Sequence, residues 1–149
     1  MAPSILFESL SEYLGLSTLS LATADPAGLP HAAPVYFVAD EDLRLYYFSD
    51  ETSRHALDTA AGQVAAAAIY PECNGWQDIR GLQLEGEVQA VPPGMQWEKA
   101  WALYQAKFPF VSELRLVVER NTLYMFAPRW IRLVDNRRGF GFKQEWELP

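Results

Sequence analysis

Ser49, Thr52, Ser53, Arg54 and His55 form one short run with the types and spacing to grip an anion. They follow an apolar stretch, Leu45–Phe48, and open a segment that reads as a helix over 52–61, with Ser49 or Asp50 as its cap. The first turn of a helix leaves backbone N–H groups without partners and carries a partial positive charge. The hydroxyls of Ser49, Thr52 and Ser53 add donors, and Arg54 adds a two-pronged charged contact. A phosphate suits such a set. An ordinary capped helix has the same local signature, so the surrounding elements must separate the two readings.

Those elements are mostly strands. Ser4 can cap a first helix whose Ile5, Leu6, Leu10, Tyr13 and Leu14 share a face, ended by Gly15. Alternation predicts strands over 18–23, 31–39 and 43–48, joined by turns at Asp25–Gly28 and Asp40–Asp42. Residues 63–70 are alanine-rich, which alone favours helix. Gly62 interrupts that continuation, and Val64, Ala66, Ala68 and Tyr70 alternate with Ala65, Ala67 and Ile69, so a strand is expected; its small side chains would let something flat approach. A long strand spans 78–91, with Gly81 and Gly86 marking bulges or close backbone approach. Pro92-Pro-Gly94 breaks the chain before a helix with Trp97, Ala100, Trp101, Tyr104 and Phe108 on one face. Strands over 121–134 and 140–146 follow, around a turn at 135–139. The expected fold is mainly β: a six- to seven-stranded antiparallel barrel with peripheral helices, one domain over 1–149.

Composition narrows the function. The chain has 149 residues, is 50% hydrophobic and carries a formal net charge of -7. An acidic chain is a poor candidate for nucleic-acid binding, which relies on basic surface. No apolar run approaches membrane-spanning length, and the N-terminus lacks the pattern of a signal peptide, so no membrane partner and a cytoplasmic location are expected. The lone Cys73 excludes an intrachain disulfide and has no activating neighbour. His31 and His55 are the only histidines and give no metal-ligand spacing. No nucleophile–base pair or carboxylate dyad is visible, so catalytic residues are not assignable.

The segment Tyr47-Phe-Ser-Asp-Glu-Thr-Ser-Arg-His-Ala56, with the strand order around it and the strand Arg80-Gly-Leu-Gln-Leu-Glu-Gly-Glu87, resembles the FMN-binding split barrels related to pyridoxamine 5'-phosphate oxidase. The tail Ile131–Lys143 resembles a small bacterial branch of that family. The resemblance covers nearly the whole chain. It implies an FMN-binding split β-barrel that forms a homodimer, with cofactor sites at the subunit interface and a small-molecule substrate. Carried over residue by residue, it implies that Ser53 and Arg54 hold the FMN phosphate, with His55 beside them. Phe48 and Ser49 would line the phosphate and ribityl end. Pro34, Val35 and Tyr36 would lie along the isoalloxazine ring, mainly through their backbone. Gln83 would reach the flavin edge if the strand register permits, as would Arg80.

Departures from the family pattern qualify these expectations. His55 stands where the family often has Lys, and Phe37 and Val38 stand where relatives carry a further basic residue, which predicts weaker FMN binding. The C-terminal Arg-x-His pair that holds pyridoxine phosphate is absent, which argues against that specific oxidase activity. An FMN-dependent oxidoreductase is the first expectation. A non-enzymatic binding or storage protein for flavin, haem or another flat cofactor is the alternative. The Trp97–Trp101–Tyr104 stripe reads as core or dimer packing, and Trp97, Trp101 and Trp130 are many large groups for one small chain to bury. Arg137 and Arg138 read as a solvated turn, and Lys143 and Trp146 as structural residues.

Overall fold

In the computed structural model, which describes residues 2–149, eight strands form one sheet, and every pairing in it is antiparallel. The strands are β1 (Thr18–Ala24), β2 (Pro30–Tyr36), β3 (Val38–Ala39), β4 (Leu45–Ser49), β5 (Val64–Ile69), β6 (Arg80–Val91), β7 (Thr122–Asp135) and β8 (Lys143–Glu147). The helices are α1 (Pro3–Ser9), α2 (Ser11–Leu14), α3 (Arg54–Gly62), α4 (Met95–Lys107) and α5 (Arg115–Val118), with short 3-10 turns between elements.

The spatial order β2-β1-β5-β6-β7-β4-β3, with β8 added beside β7, explains the shape. Only Phe37 separates β2, at one edge, from β3, at the other, so the sheet must curl until its edges approach. The expected single strand over 31–39 is therefore two strands broken at Phe37, whose side chain is fully buried. The seam is pinned from α4. The Tyr104 hydroxyl lies 2.8 Å from the carbonyl of Tyr36 and 3.0 Å from that of Tyr46, and Lys107 donates to the carbonyl of Phe37 at 2.9 Å.

Inside the curl, Leu19, Leu21, Ile69, Leu82, Leu84, Phe126 and Leu133 pack with Leu6, Leu10 and Leu14 from α1 and α2. The aromatic face of α4 makes a second core with Val38, Tyr46, Leu123 and Met125. Trp97 and Trp101 are thus covered within one chain, and they do not by themselves call for a partner. The alanine-rich segment is a strand: Ala67 and Ile69 are buried, and Val64 and Tyr70 point outward. The sheet's register shifts between Glu85 and Gly86, so the expected irregularity at this glycine is present.

Several boundaries differ from expectation. Pro3, not Ser4, opens the first helix, which breaks at Leu10, and Ile5 is exposed. The cap of α3 is Ser53, whose Oγ accepts from the Ala56 amide, so neither Ser49 nor Asp50 serves. Asp50 instead accepts from Thr52 N and Oγ1 at 2.8 and 2.7 Å. The left-handed residue that ends α3 is Gln63, with φ of 60°, rather than Gly62. Arg137 and Arg138 are exposed, as expected of a solvated turn, and Asp135 anchors them. Asp135 is buried, pairs with Arg137 at 2.9 Å and Arg138 at 3.6 Å, and is held below the usual carboxylate pKa mainly by its hydrogen bond to Arg137. Glu12 joins Arg137 to Arg80 at 3.0 Å each, and its pKa is lowered chiefly by Arg137.

Candidate functional site

Strand β4 ends at Ser49 and α3 starts at Arg54, and the turn between them brings three side chains together. The Ser49 hydroxyl lies 2.6 Å from His55 Nε2 and 3.2 Å from Ser53 Oγ, and Ser53 Oγ is 3.2 Å from the same nitrogen. Helix geometry leaves the amides of Arg54 and His55 without intrahelical partners. His55 is half-buried beneath two rings. The His31 ring lies parallel to it at 6.2 Å between centroids, and Tyr47 meets it edge-on at 6.5 Å. Burial, and next the neighbouring His31, hold His55 below the usual imidazole pKa, against an opposing pull from Asp58. The neutral ring is therefore the resting form, able to donate or accept towards the two serines according to its tautomer.

Arg54 already has partners. Its guanidinium lies 3.3 Å from the carboxylate of Asp58, one helical turn along, and 3.7 Å from that of Asp25. It also donates to the carbonyl of Leu29 at 3.1 Å. Asp58 is buried and accepts from Thr23 Oγ1 at 2.8 Å, which ties α3 to β1. The Arg54 side chain remains 42% exposed, so one face stays available to an added anion. The donor set of two hydroxyls, an imidazole, free helix amides and a partly exposed guanidinium fits a phosphate in kind. Its charge is balanced by Asp25 and Asp58, which limits how strongly it can attract a dianion. Of these partners, Asp58 was legible from its i,i+4 spacing to Arg54. The contributions of Thr23, Asp25 and the His31–His55 contact depend on the packing of α3 over β1 and β2 and leave no local signal.

The other expected positions fall into two groups. The register places Pro34 opposite Ser20, Ser20 opposite Ala68, and Ala68 opposite Gln83, so Pro34 and Gln83 share one row across the sheet. Three strand spacings of ~4.8 Å put about 14 Å between them, and the residues between are small. Tyr36 is exposed beside Phe108 and Phe110, and Val35 packs towards the main core. Phe48 does not face the serines: its ring packs against Trp97, Trp101 and Tyr104, leaving only its backbone near the turn. Gln83 is remote from Ser49 within one chain. Their β7 partners, Arg132 and Thr122, are ten positions apart, 132 − 122, which at ~3.3 Å per residue is about 30 Å along the strand. Gln83 instead lines a cavity of about 410 Å³ with Tyr70, Cys73, Leu82 and Val134. Arg80 borders that cavity but is committed to Glu12 and Asp78, at 3.0 and 2.7 Å. Among the described residues, no helix is long and apolar enough to cross a membrane, and no cluster of three or more His, Cys, Asp or Glu could hold a metal ion.

Known proteins share this fold. Residues 9–135 match the family described as Pyridoxamine 5'-phosphate oxidase. The UPF0306 protein YhbP of Salmonella paratyphi B is 27% identical over 117 residues, covering 74% of this chain and 71% of its own. Among solved structures, Campylobacter jejuni ChuZ superposes with a TM-score of 0.80 at 15% identity, over 97% of this chain and 60% of that one. HutZ, described as the heme storage protein of Vibrio cholerae, superposes with a TM-score of 0.69 at 16% identity, over 86% and 91% of the two chains. At such identities the structural likeness establishes the fold alone.

Proposed function

Because this chain belongs to the pyridoxamine 5'-phosphate oxidase family, we propose that it is an FMN-binding oxidoreductase that acts as a homodimer on a small organic substrate. The observation that carries this reading is the convergence of Ser49, Ser53 and His55 at the open N-terminus of α3, with Arg54 beside them. When bound, FMN supplies hydride and electron transfer at its ring. The chain's own residues have simpler tasks. Ser49, Ser53 and the first amides of α3 bind the phosphate. His55 holds a proton at Nε2 towards it, and Arg54 adds charge while Asp58 fixes its direction. The row Pro34–Ser20–Ala68–Gln83 offers a flat surface of small residues against which a planar ring can lie. Gln83 is too far from Ser49 to serve the same ligand from one chain, so its use would require a second copy.

The absorption spectrum of purified protein, followed by FMN titration of wild type and Arg54→Ala, tests this. Flavin bands, or micromolar binding weakened by the substitution, support the cofactor site. A colourless protein indifferent to FMN removes it. Reduction of the bound flavin by NADH or NADPH and reoxidation by an acceptor separates an enzyme from a carrier.

One observation favours a second reading, a non-enzymatic store for haem or another flat cofactor. The two histidines sit together, on a fold shared with a heme storage protein. Haem titration checks it: a Soret band that changes in His31→Ala or His55→Ala supports haem ligation, and an unchanged band argues against it.

A further inference from the structure

Lys107, the last residue of α4, stands apart from the Ser49–His55 cluster and plays no part in the reading above. Its ammonium end is half-buried. Nζ donates to the carbonyls of Leu14 at 3.1 Å and Phe37 at 2.9 Å, and lies 3.9 Å from the centroid of the Phe37 ring. Among the described residues no carboxylate pairs with it, whereas most of the arginines have an acidic partner. Lys107 borders a cavity of about 400 Å³ whose other walls include Phe7, Leu14, Val38, Leu103 and Ala106. That volume is within the range of small-molecule sites. A larger groove of about 870 Å³, which shares Phe7, Ala39 and Leu103, opens alongside it.

The two carbonyl acceptors match the two N–H bonds of a neutral amine and leave its lone pair free, and a neutral amine is a nucleophile. We infer that the cavity between α1, α2, β3 and α4 binds an apolar aldehyde, which Lys107 captures as an imine. The neutral amine adds to the carbonyl carbon to give a carbinolamine. The carbonyl oxygen then leaves as water with both amine protons, and a C=N bond remains. The step is balanced without oxidant or reductant. One of the two carbonyls that hold Nζ belongs to Leu14, itself in the cavity wall, and the apolar walls select the chain of the aldehyde. Burial lowers the amine's pKa to about 8, which supplies a substantial neutral fraction near neutral pH.

The full-length protein, incubated with hexanal and cyanoborohydride and mapped by peptide mass spectrometry, tests the inference against internal controls. Lys99, on the same helix, and Lys143 are exposed. At pH 7.5 the larger neutral fraction, offset by weaker intrinsic nucleophilicity, predicts Lys107 labelling about tenfold faster than either. Its rate should level off above about pH 8. Leu103→Trp, checked for folding by circular dichroism, fills the cavity and leaves the amine in place. It should slow labelling by hexanal and spare labelling by formaldehyde. Lys107 reacting no faster than Lys99 overturns the inference. Equal losses for both aldehydes in Leu103→Trp overturn the cavity as the recognising element.

Discussion

Arg54 and His55 each face a choice between partners inside the protein and an incoming anion, and both choices can be measured. Removing Arg54 as alanine deletes a charge-assisted contact worth about 2 kcal/mol, or roughly thirtyfold in FMN Kd. Asp58→Asn keeps an oxygen for Thr23 and removes the charge that competes for Arg54. The pair is partly exposed, so its weight is about 1 kcal/mol, and FMN should bind about fivefold tighter. Weaker binding in this variant would mean that Asp58 positions Arg54 more than it neutralises it. For His55 the sign follows from its lowered pKa. Its contribution to stability is present above the unfolded value of about 6.5 and is lost as the pH falls through the depressed folded value. A bound phosphate favours the charged imidazole, so wild type should gain affinity relative to His55→Gln as the pH drops from 7.5 to 6. The phosphate's own ionisation near pH 6 affects both proteins equally, and the ratio of their Kd values isolates the ring. A ratio independent of pH would remove His55 from the site.

Two backbone positions show how the elements are held. A Cβ added at Gly86 would overlap the carbonyl group of Ala127, at the point where the β6–β7 register shifts. Backbone on both sides must move to admit it, so Gly86→Ala should cost about 2 kcal/mol or more in chemical denaturation. Gln63 ends α3 in the left-handed region, at φ of 60°, where a side chain carries a penalty that glycine avoids. Gln63→Gly should therefore raise stability by about 1 kcal/mol, seen as a rise in Tm of about 2–4 °C for a chain of this size. These cases also mark how far the sequence could be read. The bulge at Gly86 was legible because glycine inside a long strand has few other uses. The strand at 64–69 was legible because alternation outweighed alanine's helix propensity. The end of α3 was misplaced by one residue because Gly62 is the expected terminator, and only the pairing of Val64 with Glu87 fixes where β5 must begin. The break at Phe37 left no local trace. It exists because the sheet closes on itself, a demand set by strands distant in sequence. The same distance hid Asp25 and Thr23 from the candidate site, and the α4 stripe reads alike whether a partner or its own sheet covers it.

At the scale of the whole molecule, the two parts of the proposed cofactor site are unequal. The anion cluster is complete in one chain, built from β4, α3 and the start of β2. The flat row is not: Pro34 and Gln83 lie about 14 Å apart across open sheet, and Gln83 is far from the serines. A second copy that lays its own Gln83 near this chain's Ser53 would satisfy both ends of an elongated ligand. A two-fold arrangement does so twice, because whatever one chain lends it also receives. The outward face of β5 supports such contact. Ala66 and Ala68 keep it low between Val64 and Tyr70, which are 63% and 62% exposed, so another sheet or a ring can come close. Light scattering should then give about twice the chain mass of 16.8 kDa, with an unfolding midpoint that rises with protein concentration. Ala68→Glu places a charge in the centre of the row while leaving both cores untouched. It should yield a folded monomer by circular dichroism and light scattering that has lost FMN affinity although Ser49, Ser53, Arg54 and His55 remain. A variant that stays dimeric and binds FMN normally would move the ring off this face. A wild-type monomer with full FMN affinity would confine the whole site to the α3 end of one chain.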